Sequence, residues 1–138
     1  PERKDLERLS QRLGLTDRID FMGWISDEEK QRMLCECRMF VIPSVHEAYG
    51  MVAAEAMSYG KPVIASDTGG LPEVVGDAGI LVPPQDDKAL ADAIDALDSD
   101  EVERRQLGSA AKKRMQAFSW DEMAKRTGDL YSELVGVR

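Results

Sequence analysis

The sequence predicts an α/β fold, a partial doubly wound (Rossmann-like) parallel sheet of about four strands with helices on both faces. Segments with an apolar period of 3.6 residues alternate along the chain with short apolar runs rich in β-branched residues. Such alternation is typical of a parallel α/β sheet. Hydrophobic residues make up 43% of the 138 positions, so a single domain over residues 1–138 can bury a real core.

The first third of the chain is predicted to contain two helices and one short strand. Residues 2–13 carry leucines at helical spacing, and residues 19–22 suit a first strand. Ser26 and Glu29 form a capping box that opens the second helix, which extends to about Arg38. Three of its residues are expected to face inward: Met33, Leu34 and Cys37. No strand precedes the first helix, although a crossover needs one, so we expect an amino-terminally truncated domain.

Three further strands are predicted in the centre, at residues 39–43, 62–66 and 79–82. A helix over residues 50–59 separates the first two of them and is apolar on nearly every face, so we expect it to lie buried against the sheet. Its apolar residues are Met51, Val52, Ala53, Ala54, Ala56 and Met57. One short helical turn is expected at residues 71–75.

The remainder of the chain is predicted to be purely helical. Three helices are expected, at about residues 87–97, 101–117 and 120–135. Ser119 and Glu122 form a second capping box, and Trp120, just after it, is expected in the core. The last helix carries one apolar stripe, hereafter the C-terminal stripe: Met123, Thr127, Leu130, Tyr131 and Leu134.

Charge and cysteine content exclude several classes of partner. The formal net charge of −8 repels nucleic acid and anionic lipid, so neither is an expected partner of the bulk surface. Cys35 and Cys37 point to nearly opposite sides of a predicted helix, so neither a disulfide nor a metal site is expected. No apolar run is long enough for a membrane span, and no signal peptide is visible. The cytoplasm is the simplest compartment, with peripheral membrane association through a missing domain left open.

The most informative stretch runs from Pro43 to Met57, where a strand ends, a tight loop contains Gly50, and a helix begins. Ligands of open α/β sheets bind at this end of the strands, and a helix amino terminus suits a diphosphate. Glu47 lies in the loop, and Glu55 follows Gly50 by five residues, roughly 7–8 Å along the helix axis. Carboxylates accept hydrogen bonds from vicinal hydroxyls, so two glutamates at this spacing suit sugars on either side of a diphosphate.

At these residues the sequence resembles the retaining glycosyltransferases of the GT-B fold, family four. The Glu47–Glu55 pair is an E-x7-E pattern, preceded by Pro-Ser and followed by Gly-Lys-Pro-Val-Ile-Ala-Ser. Four further segments extend the resemblance over the whole chain: Leu-Thr-Asp-Arg-Ile-Asp-Phe-Met-Gly at 15–23, Gly-Gly-Leu-Pro-Glu-Val-Val at 69–75, Gly-Ile-Leu-Val-Pro-Pro at 79–84 and Phe-Ser-Trp at 118–120. Each segment alone is weak, but their order and spacing together are specific.

The resemblance implies a role for each residue of the candidate site. Glu47 would bind hydroxyls of the transferred sugar and act in catalysis, and Glu55 would bind the ribose of a nucleotide-diphosphate sugar. Trp24 and Ile25 would border the base. The backbone that contacts the sugar and diphosphate would be Ala48, Tyr49, Gly50 and Met51. The resemblance further implies retention of anomeric configuration, and neither a cofactor nor an essential metal.

The sequence departs from the family in two respects. Ala48-Tyr49-Gly50 replaces the usual Gly-Phe-Gly, and the added methyl group is expected to narrow the choice of donor without abolishing binding. The basic residues that clamp the diphosphate and the amino-terminal, acceptor-binding domain of the family are missing. We therefore expect the chain alone to be inactive. The final helix crosses back to the missing domain in this family, so the C-terminal stripe is expected to be uncovered, with self-association as one consequence.

Other interpretations remain beside this one. The alternatives for the chain are a non-catalytic binding or assembly module, a receiver domain, or part of another GT-B enzyme such as an epimerase. Glu55 could be a purely structural carboxylate, and His46 either an acid–base group or a hydrogen-bonded loop residue. Tyr49 either presents its ring to the pocket or covers the sheet edge, and Trp24 either touches a base or packs on the following helix. Lys61 is expected to interact with the dipole of the helix that ends before it.

Overall fold

The structure is a computed structural model that describes residues 2–136, without the side chain of Trp120. The interpretation of Trp120 as a core residue therefore lies outside the described part of the chain. The chain divides into two compact units, Pro1–Arg32 and Met33–Arg138.

The first unit contains helix α1, Glu2–Arg12, and the start of helix α2, Asp27–Glu36. The capping box at the start of α2 is confirmed, because Glu29 N donates to Ser26 Oγ and Ser26 N donates to Glu29 Oε2, both at 3.2 Å. The predicted strand at residues 19–22 is wrong, since these residues are irregular. A strand requires a neighbour to complete its backbone hydrogen bonds, and no strand lies among residues 2–32.

The second unit is built on a three-stranded parallel sheet within residues 33–136. The strands are β1, Phe40–Ile42, β2, Val63–Ser66, and β3, Ile80–Val82, in the order β1-β2-β3. The register pairs Val41 with Ile64 and Ala65 with Leu81. The three central strands predicted from the sequence are therefore confirmed, each shorter than expected.

The helices of the second unit match the predicted positions closely. A 3-10 turn, Gly76–Ala78, follows the short helix α4. The further helices are α3, Met51–Ser58, α4, Leu71–Val75, α5, Asp87–Ser99, α6, Glu101–Gln116, and α7, Trp120–Val135.

Helices cover both faces of the sheet, as the fold class predicts. Val63 and Ala65 of β2 face a buried cluster that includes residues from α3, α4 and α6, with Met57 and Ala111 completely buried. The alternate residue, Ile64, faces a second cluster that includes Leu97 of α5. This alternation follows from the two-residue period of a strand, which sends neighbouring side chains to opposite faces.

Helix α3 is buried along one face only, which corrects the expectation of nearly complete burial. Met51 and Val52 are 74% and 49% exposed, whereas Ala53, Ala56 and Met57 are buried. A helix packed on a sheet buries the side chains at three- and four-residue spacing, and apolar composition on the other faces does not change that. In α2, Leu34 is buried as expected, but Met33 is 41% exposed.

Met57→Ala is expected to destabilise the protein by about 3 kcal/mol, because it removes a completely buried side chain and leaves a cavity. Met51→Ala is the matched control on the same helix, since Met51 is largely exposed. Urea unfolding of both variants measures the difference. Equal losses of stability would contradict the described burial of α3.

The two cysteines and Lys61 have structural roles. Burial raises the pKa of the Cys37 thiol, so this cysteine stays protonated and unreactive near neutral pH, while Cys35 is exposed. Lys61 Nζ donates to the carbonyls of Cys35 and Cys37, at 2.7 and 3.0 Å. Lys61 therefore caps the end of α2, and its interaction with the dipole of the preceding helix α3 stays a prediction.

The C-terminal stripe is exposed on α7, with exposed fractions of 48% for Met123 and 73% for Leu134. Half of the expected capping box of α7 is present: Glu122 N donates to Ser119 Oγ at 3.2 Å, whereas the Glu122 carboxylate accepts from Arg126 Nε at 3.0 Å. The helix therefore does not fold wholly back onto the sheet, and self-association through the stripe stays a prediction. Among residues 2–136, no helix combines the length and apolar character that crossing a membrane requires.

Candidate functional site

The candidate site lies where the three parallel strands end. Because the strands are parallel, the loops that follow β1, β2 and β3 emerge at one edge of the sheet. The loop between β1 and α3, residues 43–50, contains Glu47 and is hereafter the glutamate loop. The loop between β2 and α4, residues 67–70, contains two glycines and is hereafter the glycine loop.

The carboxylate of Glu47 is held at the start of α3. Its Oε1 accepts hydrogen bonds from the backbone N–H groups of Tyr49 and Gly50, at 3.3 and 3.1 Å. Gly50 caps the helix in the left-handed region, at φ 71°, which a glycine adopts without strain. Both hydrogen bonds end on Oε1, which leaves Oε2 to accept from a ligand hydroxyl.

The glycine loop packs directly on the backbone of the glutamate loop. Gly70 N donates to Glu47 O at 3.0 Å, and Thr68 Oγ1 donates to Val45 O at 3.2 Å. A Cβ atom on Gly69 would lie 1.7 Å from Glu47 O, and one on Gly70 would lie 2.7 Å from Ala48 O. Only glycine permits this approach, so these two residues fix the position of the glutamate loop.

Glu55 lies in the second turn of α3 and is half-buried. It is the acidic residue of a helix whose other members are apolar or small, as the sequence indicated. Its assignment to a ribose stays a prediction.

The remaining candidate residues are mostly exposed. Trp24 is fully exposed and does not pack on the helix that follows it, while Ile25 is half-buried; both belong to the first unit. In the second unit, Tyr49 is 76% exposed and borders, with Met51, an apolar hollow of about 430 Å³. The ring of Tyr49 therefore faces open space and does not cover the sheet. Ala48 and His46 are exposed, and Gly50 is buried.

A cleft of about 500 Å³ lies at the same edge of the sheet, on the side of α5. Its walls include Val45 of the glutamate loop, Ser66 at the end of β2 and Gln85, which adopts an unusual φ of 61°. Glu47 and Glu55 are not among its lining residues, so the cleft borders the glutamate loop and does not contain the two carboxylates.

Sequence reasoning identified Glu47 and the start of α3 but missed the structural role of the glycine loop. The double glycine after β2 was visible only as part of a family resemblance. The signal that could have found it is physical: two consecutive glycines in the short loop after a buried strand indicate a close backbone approach.

A family model and the sequence relatives of this chain indicate the same family. The model of the family described as glycosyl transferases group 1 matches residues 1–114. The chain is 38% identical, over 135 residues, to the D-inositol 3-phosphate glycosyltransferase of Streptomyces bingchenggensis. That match covers 96% of this chain but 29% of the relative, so the chain spans under a third of that protein's length.

Solved structures agree with the sequence relatives. Sucrose-phosphate synthase from Thermosynechococcus elongatus superposes with a TM-score of 0.84 at 41% identity, covering 99% of this chain and 35% of that one. The Anabaena protein HepE in complex with UDP-glucose superposes with a TM-score of 0.82 at 29% identity, covering 94% of this chain and 36% of that one. Both matches cover nearly all of this chain and about a third of the other protein.

Proposed function

The chain belongs to the glycosyl transferases group 1 family, and from that premise we propose that it forms the donor-binding part of a retaining glycosyltransferase. The proposed donor is a nucleotide-diphosphate sugar. The observation that carries the proposal is the Glu47 carboxylate, which is held by two backbone amides at the amino terminus of α3, at the carboxyl edge of a parallel sheet.

The start of α3 suits the diphosphate of such a donor. The backbone bond from Ala54 N to Gly50 O, at 3.0 Å, closes the first turn of the helix, so the amides of residues 51–53 precede it. These amides and the positive end of the helix dipole attract an anion without any basic side chain. An acidic chain with a net charge of −8 can therefore bind an anionic donor at this place.

The two glutamates bind the two sugars of the donor, which are the transferred sugar and the ribose. Glu47 Oε2 accepts from hydroxyls of the transferred sugar, while Oε1 remains bound to the amides of Tyr49 and Gly50. Glu55, about 7–8 Å from Gly50 along the helix axis, accepts from the ribose. The family resemblance assigns the border of the base to Trp24 and Ile25, and this assignment stays a prediction. Ala48 places a methyl group beside the sugar and narrows donor choice.

The acceptor belongs to another part of the enzyme. The relatives are about three times longer than the matched segment, so we propose that a region outside these residues binds the acceptor and clamps the diphosphate with basic side chains. A protein that joins the chain to such a region is hereafter the complete enzyme. Retained anomeric configuration and independence from metal ions are part of the proposal. Proton NMR of the product and assay in the presence of EDTA test these two properties.

The 138-residue chain alone is expected to show no sugar transfer and only weak binding of nucleotide diphosphates, with dissociation constants of about 1 mM. The reason is that helix amides alone hold the diphosphate when the basic clamp is missing. Calorimetry with a panel of nucleoside diphosphates and their sugars measures the affinity and identifies the preferred base and sugar. The same panel is then applied to the complete enzyme.

The alternative is a non-catalytic binding or assembly module. The two proposals differ in the complete enzyme, which should bind a donor more tightly than the chain and release its nucleoside diphosphate when an acceptor is added. Donor binding without any turnover would favour the module. Robust transfer by the isolated chain would show that the chemistry has been assigned to the wrong part of the protein.

A further inference from the structure

Arg114 of α6 makes a group of contacts at the end of the short helix α4. Its Nε donates to Val74 O at 2.7 Å, and its Nη2 donates to Glu73 O at 2.6 Å. Its side chain is 29% exposed, and its guanidinium lies 5.7 Å from the centroid of the Phe118 ring. Carbonyls at a helix end lack partners within the helix, so the planar fork of an arginine satisfies two of them at once.

The backbone beside this contact leaves room for the guanidinium. A Cβ atom on Gly76 would lie 2.5 Å from Arg114 Cζ, and Gly76 has a φ of 52°. The position therefore suits glycine for both its conformation and its space. The close approach of Gly76 to the guanidinium is thus a second observation, beside the two hydrogen bonds, that places Arg114 at the end of α4.

The opposite end of α4 touches the candidate site. Gly70, which caps α4, donates to Glu47 O, and the first turn of α4 is completed by Val74 N donating to Gly70 O. Leu71 and Val74 lie against Gly50, since a Cβ atom there would be 3.3 Å from each side chain. Helix α4 therefore connects Arg114 at one end with the backbone of Glu47 at the other.

Helix α6 is itself fixed against the far end of α3. A Cβ atom on Gly108 would lie 2.3 Å from Gly60 O, directly after α3, and Ala111 is completely buried. Arg114 is thus anchored on a helix that already packs against α3, whose opposite end begins beside Glu47. A displacement of α4 relative to α3 would move the glutamate loop.

We propose that Arg114 is a positioning residue for sugar transfer, which acts through α4 and the glycine loop to hold Glu47 at the start of α3. The inference rests on the proposed function, because it assigns a second residue to the same site. Arg114 does not touch the donor. It keeps Glu47 where the sugar requires a carboxylate, and small displacements of such a group cost about 100-fold in rate.

The first test uses the 138-residue chain and hydrogen exchange. Arg114→Ala is expected to raise the exchange rate of the Gly70 amide about tenfold relative to the amides of β2, which report on global unfolding. Arg105→Ala is the matched control, because Arg105 lies on the same helix and forms a highly exposed pair with Glu101. Arg114→Lys keeps the charge and the stem but not the planar fork, and replaces the alanine variant if that variant does not fold.

The second test is a double-mutant cycle in the complete enzyme. Arg114→Ala is expected to lower kcat about tenfold with little change in the donor KM, and to lower it by less than about twofold when Glu47 is already glutamine. Two results would overturn the role of Arg114. One is an unchanged exchange rate of the Gly70 amide relative to the amides of β2, and the other is additive effects of the Arg114 and Glu47 substitutions on kcat. A Glu47→Gln enzyme with normal turnover would instead overturn the proposed function, and the exchange measurement would still decide whether Arg114 holds the glycine loop.

Discussion

Glu47→Ala in the complete enzyme is expected to lower kcat by about 100-fold to 1,000-fold, with a much smaller effect on donor binding. The carboxylate acts on the sugar that is being transferred, so its hydrogen bonds strengthen as charge develops there. Steady-state kinetics with varied donor concentration separate kcat from KM, and calorimetry with the nucleoside diphosphate measures the remaining affinity.

Two companion variants make this result specific to the carboxylate. Glu47→Gln keeps an oxygen that can accept from the amides of Tyr49 and Gly50, so the loop should hold its shape while the charge is lost. A loss of kcat in the glutamine variant then reports on the charge. Glu103→Ala removes an exposed carboxylate on α6 and is expected to leave both constants unchanged. Normal turnover of Glu47→Ala would show that the chemistry lies elsewhere.

The sequence predicts the sheet and its helices best where local signals agree. Strands β1, β2 and β3 were each predicted within two residues of their bounds, because apolar β-branched runs lie between clear helix stops and starts. The segment at 19–22, Ile-Asp-Phe-Met, includes a charged residue and has no strand beside it in its own unit, and it remains irregular. A strand depends on its neighbour, which a local pattern does not contain.

The sequence predicts the residues of the candidate site but not the contacts that hold those residues in place. Glu47 and Gly50 were found because a strand, a tight loop and a helix follow one another in sequence. The contacts that hold them come from residues more than 20 positions away, such as Thr68 with Val45 and Gly70 with Glu47. Arg114 reaches the carbonyl of Val74 across 40 positions. Such pairings depend on the packing of several elements, so no spacing rule in the sequence indicates them.

Gly69→Ala is expected to destabilise the protein by about 3 kcal/mol or more and to displace the glutamate loop. Two costs combine at this position. A φ of 56° is strained for alanine, and its Cβ atom would lie 1.7 Å from Glu47 O and 2.8 Å from Glu47 C. These are backbone atoms, so no side-chain rotation can relieve the overlap, and the hydrogen bond from Gly70 N to Glu47 O must lengthen or break.

Gly14→Ala separates the two costs. Gly14 has a similar φ of 67° but nothing within 4 Å of an added Cβ atom, so this variant carries only the conformational strain, about 1 kcal/mol. Urea unfolding of both variants gives the difference due to the overlap. In the complete enzyme, Gly69→Ala should also lower kcat, because Glu47 moves with its own carbonyl, whereas Gly14→Ala should not. Equal stabilities of the two variants, with unchanged turnover, would mean that the two loops are not in the close contact on which the position of Glu47 depends.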